Sequence, residues 1–197
     1  MSDKSLQARA ILWANLMRLR TKSSEVEKLK FLKSIALFQD LSFRQIRDLS
    51  NIIYERTYNK NEHIFEIQQP GAALFIIQSG QVSIELPPSS LTDGTPEAVE
   101  PSQRAAAQLA LLGPGAFFGD LALLDQTPRS ASARANLKTQ CLVLFREDLN
   151  KLIDSKPKIA CLIYRSLATV IGERLKATNS LISEDAPKNE APRLTAA

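Results

Sequence analysis

Apolar positions along the chain change their period twice. Up to about residue 56 they recur every three or four residues, the spacing of a helix face. Leu6, Trp13, Leu16, Met17 and Leu19, interleaved with Arg9, Arg18 and Arg20, predict a basic amphipathic helix over 5–20. Val26, Leu29, Leu32 and Ile35 carry a second stripe. "LSFRQIRDLSNIIYER" carries a third, with Ser42 as its N-cap. From residue 58 the period shortens. "YNKNEHIFEI", "AALFIIQSGQVSIEL", "AAQLALLG" and "SARANLKTQCLVLF" are short β-rich runs broken by Asn, Gly and Pro. "IIQSGQVSIE" is expected to form two strands joined by a tight turn at Ser79-Gly80. The Pro-, Ser- and acid-rich stretch within 87–107 interrupts the pattern and is expected to be a mobile loop. Helical spacing then returns in "REDLNKLIDS" and in a long final helix from Pro157 to about residue 182. The order predicts an α+β protein built round one core. Residues 1–24 would be an extension, 25–182 the domain and 183–197 a disordered polar tail.

The final helix carries two stripes. Ile159, Ile163 and Val170 are expected to face the β domain. Tyr164, Leu167, Ile171, Thr178 and Ile182 follow a heptad-like seam broken at Arg174-Leu175, which predicts a homodimer through this helix.

Composition narrows the function classes. The chain has 197 residues, 44% hydrophobic and 23% charged, as in ordinary globular domains. No apolar run reaches the roughly 18 residues of a membrane span, and the N-terminus lacks a secretory apolar core. Cys141 and Cys161 sit in apolar runs without metal spacing, which predicts buried free thiols in a cytoplasmic protein. Residues 1–60 hold 12 Lys and Arg against 6 Asp and Glu, and the remainder 13 against 15. The basic third suits nucleic acid, anionic lipid or an acidic partner, and the plainer reading is a solvated helix face. His63 has no partner motif, and no nucleophile, zinc or Walker pattern is present. The protein is therefore expected to be no enzyme and to hold no metal.

The chemistry concentrates in "FFGDLALLDQTPRSASARA", Phe117 to Ala135. Gly119 permits positive φ or close backbone approach. Asp120 begins a short apolar run whose first-turn amides would be free. Arg129 supplies a planar fork that matches a phosphate, and Ser130 and Ala131 are small enough to expose their amides. Together they predict a phosphate clamp. The plainer readings stand beside it: Asp120 as a helix cap, Arg129 paired with Asp125, and Ser130 as a turn hydroxyl.

Phe118-Gly119-Asp120-Leu121-Ala122-Leu123 followed by Pro128-Arg129-Ser130-Ala131-Ser132 resembles the phosphate-binding cassette of the cyclic-nucleotide-binding domains. That family is shared by catabolite activator proteins, cyclic-AMP-dependent kinase regulatory subunits and gated channels. The resemblance extends over about residues 25–182, with Gln68-Gln69 in place of a Gly-containing turn. It implies an eight-stranded β jelly roll flanked by N-terminal helices and a long C-terminal helix. It further implies that Arg129 pairs with a cyclic phosphate and that position 120 meets the ribose 2′-hydroxyl. Asp here is shorter than the family's Glu by one C–C bond, about 1.5 Å. Ser130 would touch the phosphate or purine. Val82, Leu109, Leu112 and Leu121 would pack on the base, and Thr178 and Asn179 would cap it. The ligand implied is cyclic AMP or cyclic GMP.

About 15 polar residues follow Ser183, too few for a helix-turn-helix, so no direct DNA binding is expected. The expected function is a stand-alone sensor that changes its contact with a protein partner. The alternative is a scaffold that dimerises with a degenerate, non-binding pocket.

Overall fold

The computed structural model describes residues 24–86 and 107–185. The expected helix over 5–20, most of the 87–107 loop and the tail beyond 185 lie outside them. Helix α1 covers residues 24–34 and α2 Phe43–Ser50. Eight strands follow: β1 (Ile53–Tyr58), β2 (His63–Phe65), β3 (Ala73–Ser79), β4 (Val82–Leu86), β5 (Ala107–Leu112), β6 (Phe117–Phe118), β7 (Ser132–Ala135) and β8 (Thr139–Phe145). Helices α3 (Arg146–Ser155) and α4 (Pro157–Asp185) end the described residues. The strands form two antiparallel four-stranded sheets, ordered β1-β8-β3-β6 and β2-β7-β4-β5. This is the expected jelly roll with flanking helices. No helix among the described residues is long and apolar enough to cross a membrane.

Ser42 caps α2 as expected. Its hydroxyl accepts from the Gln45 amide at 3.4 Å, and Gln45 Oε1 accepts from the Ser42 amide at 2.8 Å. That helix is shorter than its pattern predicts. It ends at Ser50, and Ile53–Tyr58 pairs with β8 as a strand. The β-branched and aromatic residues Ile53, Tyr54, Thr57 and Tyr58 suit a pleated surface, and the ladder overrides the helical spacing.

The 73–86 stretch is no simple hairpin. β3 and β4 lie in different sheets, so Gly80 turns a corner between them. Its φ is +94°, and a Cβ there would come within 2.4 Å of Thr139 Oγ1.

Two cores replace the single one expected. Phe75, Ile77, Val82, Phe118, Ala133, Cys141 and Val143 meet between the sheets. Leu74, Ile76, Leu142 and Leu144 point to the other side of their sheet, against Phe38, Ile46, Leu149 and the α4 residues Ile159 and Ile163. β3 and β8 are thus buried on both faces, and for that reason they read as continuous apolar runs. Leu167 is also fully buried in this second core. It packs within one chain and is unavailable to an intermolecular seam. Val170 is partly buried against the same core, as expected. Cys141 is buried, and burial pushes its thiol up to about 12. Cys161 is exposed, because its position on α4 turns away from the core that holds Ile159 and Ile163.

Candidate functional site

β6 ends at Phe118, and Gly119 follows with φ +70°, delivering the chain into a 3-10 turn over Asp120–Leu123. A Cβ at Gly119 would sit 2.6 Å from Arg129 Nη1 and 3.2 Å from Ala73 O. Both the backbone angle and the space therefore require glycine. Gln68 also adopts positive φ, at +67°. Its amide donates to Arg129 O at 2.8 Å, and the Arg129 amide donates to Gln69 O at 2.8 Å. The turn that lacks glycine thus still forms, and it grips the backbone of Arg129.

The Arg129 side chain is 8% exposed. Its Nη2 donates to Ala73 O at 2.9 Å and its Nη1 to Gly119 O at 3.3 Å. No carboxylate among the described residues pairs with it, and its buried Nε–H has no acceptor. Asp125 does not neutralise it; that carboxylate accepts from Thr127 instead. Burial, and then the nearby Arg146 charge, pull the Arg129 pKa below its ordinary value. A buried guanidinium with unused donors is stabilised by an anion placed within reach of them. Arg146 stands behind it, donating through Nη1 to the carbonyls of Gly71 at 3.0 Å, Ala122 at 2.9 Å and Asp125. It ties the 3-10 turn to the start of α3.

Arg129 lies on the wall of a cavity of about 640 Å³. That size is within the range of small-molecule sites. Gly119, Asp120, Ser130 and Ala131 share the wall with it. So do Leu109, Leu112 and Leu121, with Leu109 57% exposed and Leu121 47%. Phe65, Ile84, Phe117 and Phe118 add to its apolar surface. From α4, Arg174, Ala177 and Thr178 reach the cavity.

Two expected wall residues are elsewhere. Val82 is fully buried between the sheets, because the inward face of β4 at that point meets the core and not the cavity. Asn179 is not on the wall, since the helical turn that directs Thr178 inward carries the next residue about 100° round the axis.

Asp120 is buried and does not cap the 3-10 turn; Gly119 holds the cap position without a side-chain bond. Its Oδ2 accepts from Arg174 Nη1 at 2.5 Å. Arg174 Nη2 also donates to Phe117 O at 3.4 Å, and its guanidinium lies 5.1 Å from the Phe117 ring centre. This link between the cassette and α4 is invisible in the sequence, where Arg174-Leu175 reads as the break in the heptad-like seam. Phe65 is also missed, as are the wall residues Ile84, Phe117 and Phe118; the Phe65 ring faces the Arg129 guanidinium at 4.1 Å.

Comparison with known proteins places this geometry. The cyclic nucleotide-binding domain profile matches residues 55–156, more than half of the chain. A cyclic AMP receptor protein of Thermus thermophilus is 33% identical over 145 residues, which cover 74% of this chain and 59% of that protein. Glutaminase 2 of Bradyrhizobium diazoefficiens is 29% identical over 159 residues, 81% of this chain and 23% of the enzyme. The chain thus spans less than two thirds of either. A solved cyclic nucleotide-binding domain from Methylobacillus flagellatus shares the fold with a TM-score of 0.65, 24% identity and coverage of 84% of this chain and 85% of that one. The cassette, the jelly roll and the profile agree, and the chain belongs to the cyclic nucleotide-binding domain family.

Proposed function

We propose that the chain is a sensor module that binds cyclic AMP or cyclic GMP and changes a protein contact made through α4. The observation that carries the reading is Arg129: a buried cation on a cavity wall, with an unused Nε–H and no acidic partner among the described residues. A cyclic phosphodiester supplies the missing anion, and the apolar wall of Ile84, Leu109, Leu112 and Leu121 suits a purine. Asp120 is assigned to the ribose 2′-hydroxyl through Oδ1, beside the Oδ2 that Arg174 holds. Ser130 is assigned to the phosphate. The name of the Thermus relative makes cyclic AMP the first ligand to try.

The output surface follows from α4. With Leu167 in the core, Tyr164 and Ile171 partly buried against it and Thr178 on the cavity wall, the outward stripe runs Cys161, Ala168 and Leu175, all exposed and seven residues apart. Leu175 is 60% exposed on it. A second copy of α4 is the proposed cover, giving a homodimer whose seam lies next to the cavity wall.

The scaffold alternative rests on a degenerate pocket. Gln68 speaks against it, since it adopts the angle the missing glycine would have supplied. Calorimetric titration of the purified chain with cyclic AMP, cyclic GMP and cyclic dinucleotides tests the proposal. Saturable binding of a cyclic mononucleotide is the expected result; no heat and no thermal shift with any of them would leave the scaffold reading.

A further inference from the structure

Among the described residues Arg129 has no counter-carboxylate, yet its guanidinium must be held in one plane to present two donors to one anion. The Phe65 ring lies against it, with the guanidinium carbon 4.1 Å from the ring centre. Phe75 is the next ring, at 5.7 Å. Phe65 is itself fixed by Phe75 and Phe118, whose centres lie 5.7 and 5.8 Å away, and these two stack on each other at 5.4 Å. The three rings are set by β2, β3 and β6, all anchored in the core between the sheets.

We infer that Phe65 is the positioning residue for the phosphate-binding arginine: its π-face takes the role of a counter-ion, orienting the guanidinium without neutralising it. A carboxylate in that place would hold the arginine too, but would compete with an incoming phosphate for the same donors. A ring face attracts the cation along its normal and leaves the in-plane N–H groups free. The inference rests on the cyclic-nucleotide reading of the cavity, and it concerns how that site is preorganised. Phe65 acts through Arg129, so its effect on binding is independent of the base.

The test uses Phe65→Leu, which keeps apolar bulk but removes the face, and Phe65→Tyr, which keeps the face. Phe65→Leu is expected to weaken cyclic AMP and cyclic GMP by the same factor, about three- to thirtyfold. Phe65→Tyr is expected to bind like the wild type. Thermal unfolding of both variants reports any damage to the core separately. A second readout needs no nucleotide: the Arg129 Nε–H resonance, assigned by its disappearance in Arg129→Lys, should be ring-current shifted in the wild type and lose that shift in Phe65→Leu. Wild-type affinity in the Leu variant, a loss that Tyr does not restore, or a changed ratio of cyclic AMP to cyclic GMP affinity would overturn the assignment. If the wild type binds neither nucleotide, the sensor reading fails by itself. The resonance then decides the stack alone: a shift lost in Phe65→Leu sustains it, and an unshifted wild-type signal overturns it.

Discussion

Replacing Arg129 gives the sharpest test of the site, and its size follows from counting donors. A guanidinium has five N–H groups. One on Nη2 goes to Ala73 O and one on Nη1 to Gly119 O. Three remain, including the Nε–H that has no acceptor. The two exocyclic oxygens of a cyclic phosphate can take two of them. Each charged hydrogen bond contributes about 1.5–3 kcal/mol, so about 3–6 kcal/mol is at stake. That corresponds to about 10²- to 10⁴-fold in affinity. Arg129→Ala should approach the upper part of that range. Arg129→Lys, which keeps the charge but not the fork, should fall in the lower part. Calorimetry with cyclic AMP at fixed low salt, with circular dichroism to verify folding, measures both. A folded Arg129→Ala protein that binds cyclic AMP as tightly as the wild type would show that the phosphate sits elsewhere.

Asp120→Glu should tighten the bound nucleotide by regaining about 1.5 Å of reach, and 2′-deoxy cyclic AMP should bind the wild type more weakly than cyclic AMP; equal affinities in both comparisons would remove Asp120 from the ribose. Glu85 titrates low: burial raises its pKa, but hydrogen bonds from Ser83 and Arg134 outweigh it. Its contribution is therefore present above the unfolded value of about 4.3 and lost as the pH falls through the lower folded value, so Glu85→Gln should flatten the acid limb of stability measured by urea unfolding from pH 3 to 7. Ala168→Glu with Leu175→Glu should convert a dimer to monomers in sedimentation without lowering the melting temperature, since both side chains are exposed; an unchanged mass would exclude the α4 seam.

The sequence made the cassette legible because its residues are close together in the chain: the Gly119 turn, the apolar 3-10 run and Arg129 lie within about a dozen positions. α3 was legible too, since one amphipathic period fills it. What escaped depends on distant partners. Arg174 looks like any helix-surface arginine until α4 brings it to Asp120, 54 residues away in sequence. Phe65 looks like core until the fold sets Arg129 on its face. The helical pattern misled at Ile53–Tyr58, where pairing with β8 decides the structure, and at Leu167, where the second core absorbs a residue whose spacing fits a seam equally well.

Asp120 also fixes the sign of coupling between ligand and helix. Two groups have claims on its carboxylate: Arg174 from α4 and, in the proposed complex, the ribose hydroxyl. If they competed for one oxygen, binding would loosen α4. A carboxylate, however, offers two oxygens and about four acceptor positions, and Arg174 occupies Oδ2 at 2.5 Å. Oδ1 remains for the ribose, so both bonds form together and binding should tighten α4 against the cassette. Linkage is reciprocal: whatever the ligand adds to docking of α4, docking adds to affinity. The Arg174 side chain is 51% exposed, so its bond to Asp120 contributes about 1 kcal/mol at most. Arg174→Ala should accordingly weaken cyclic AMP by about fivefold or less and lower hydrogen-exchange protection along residues 173–180 of α4 in the complex. Tighter binding in that variant would reverse the sign, and would mean that Arg174 and the ribose compete for one oxygen.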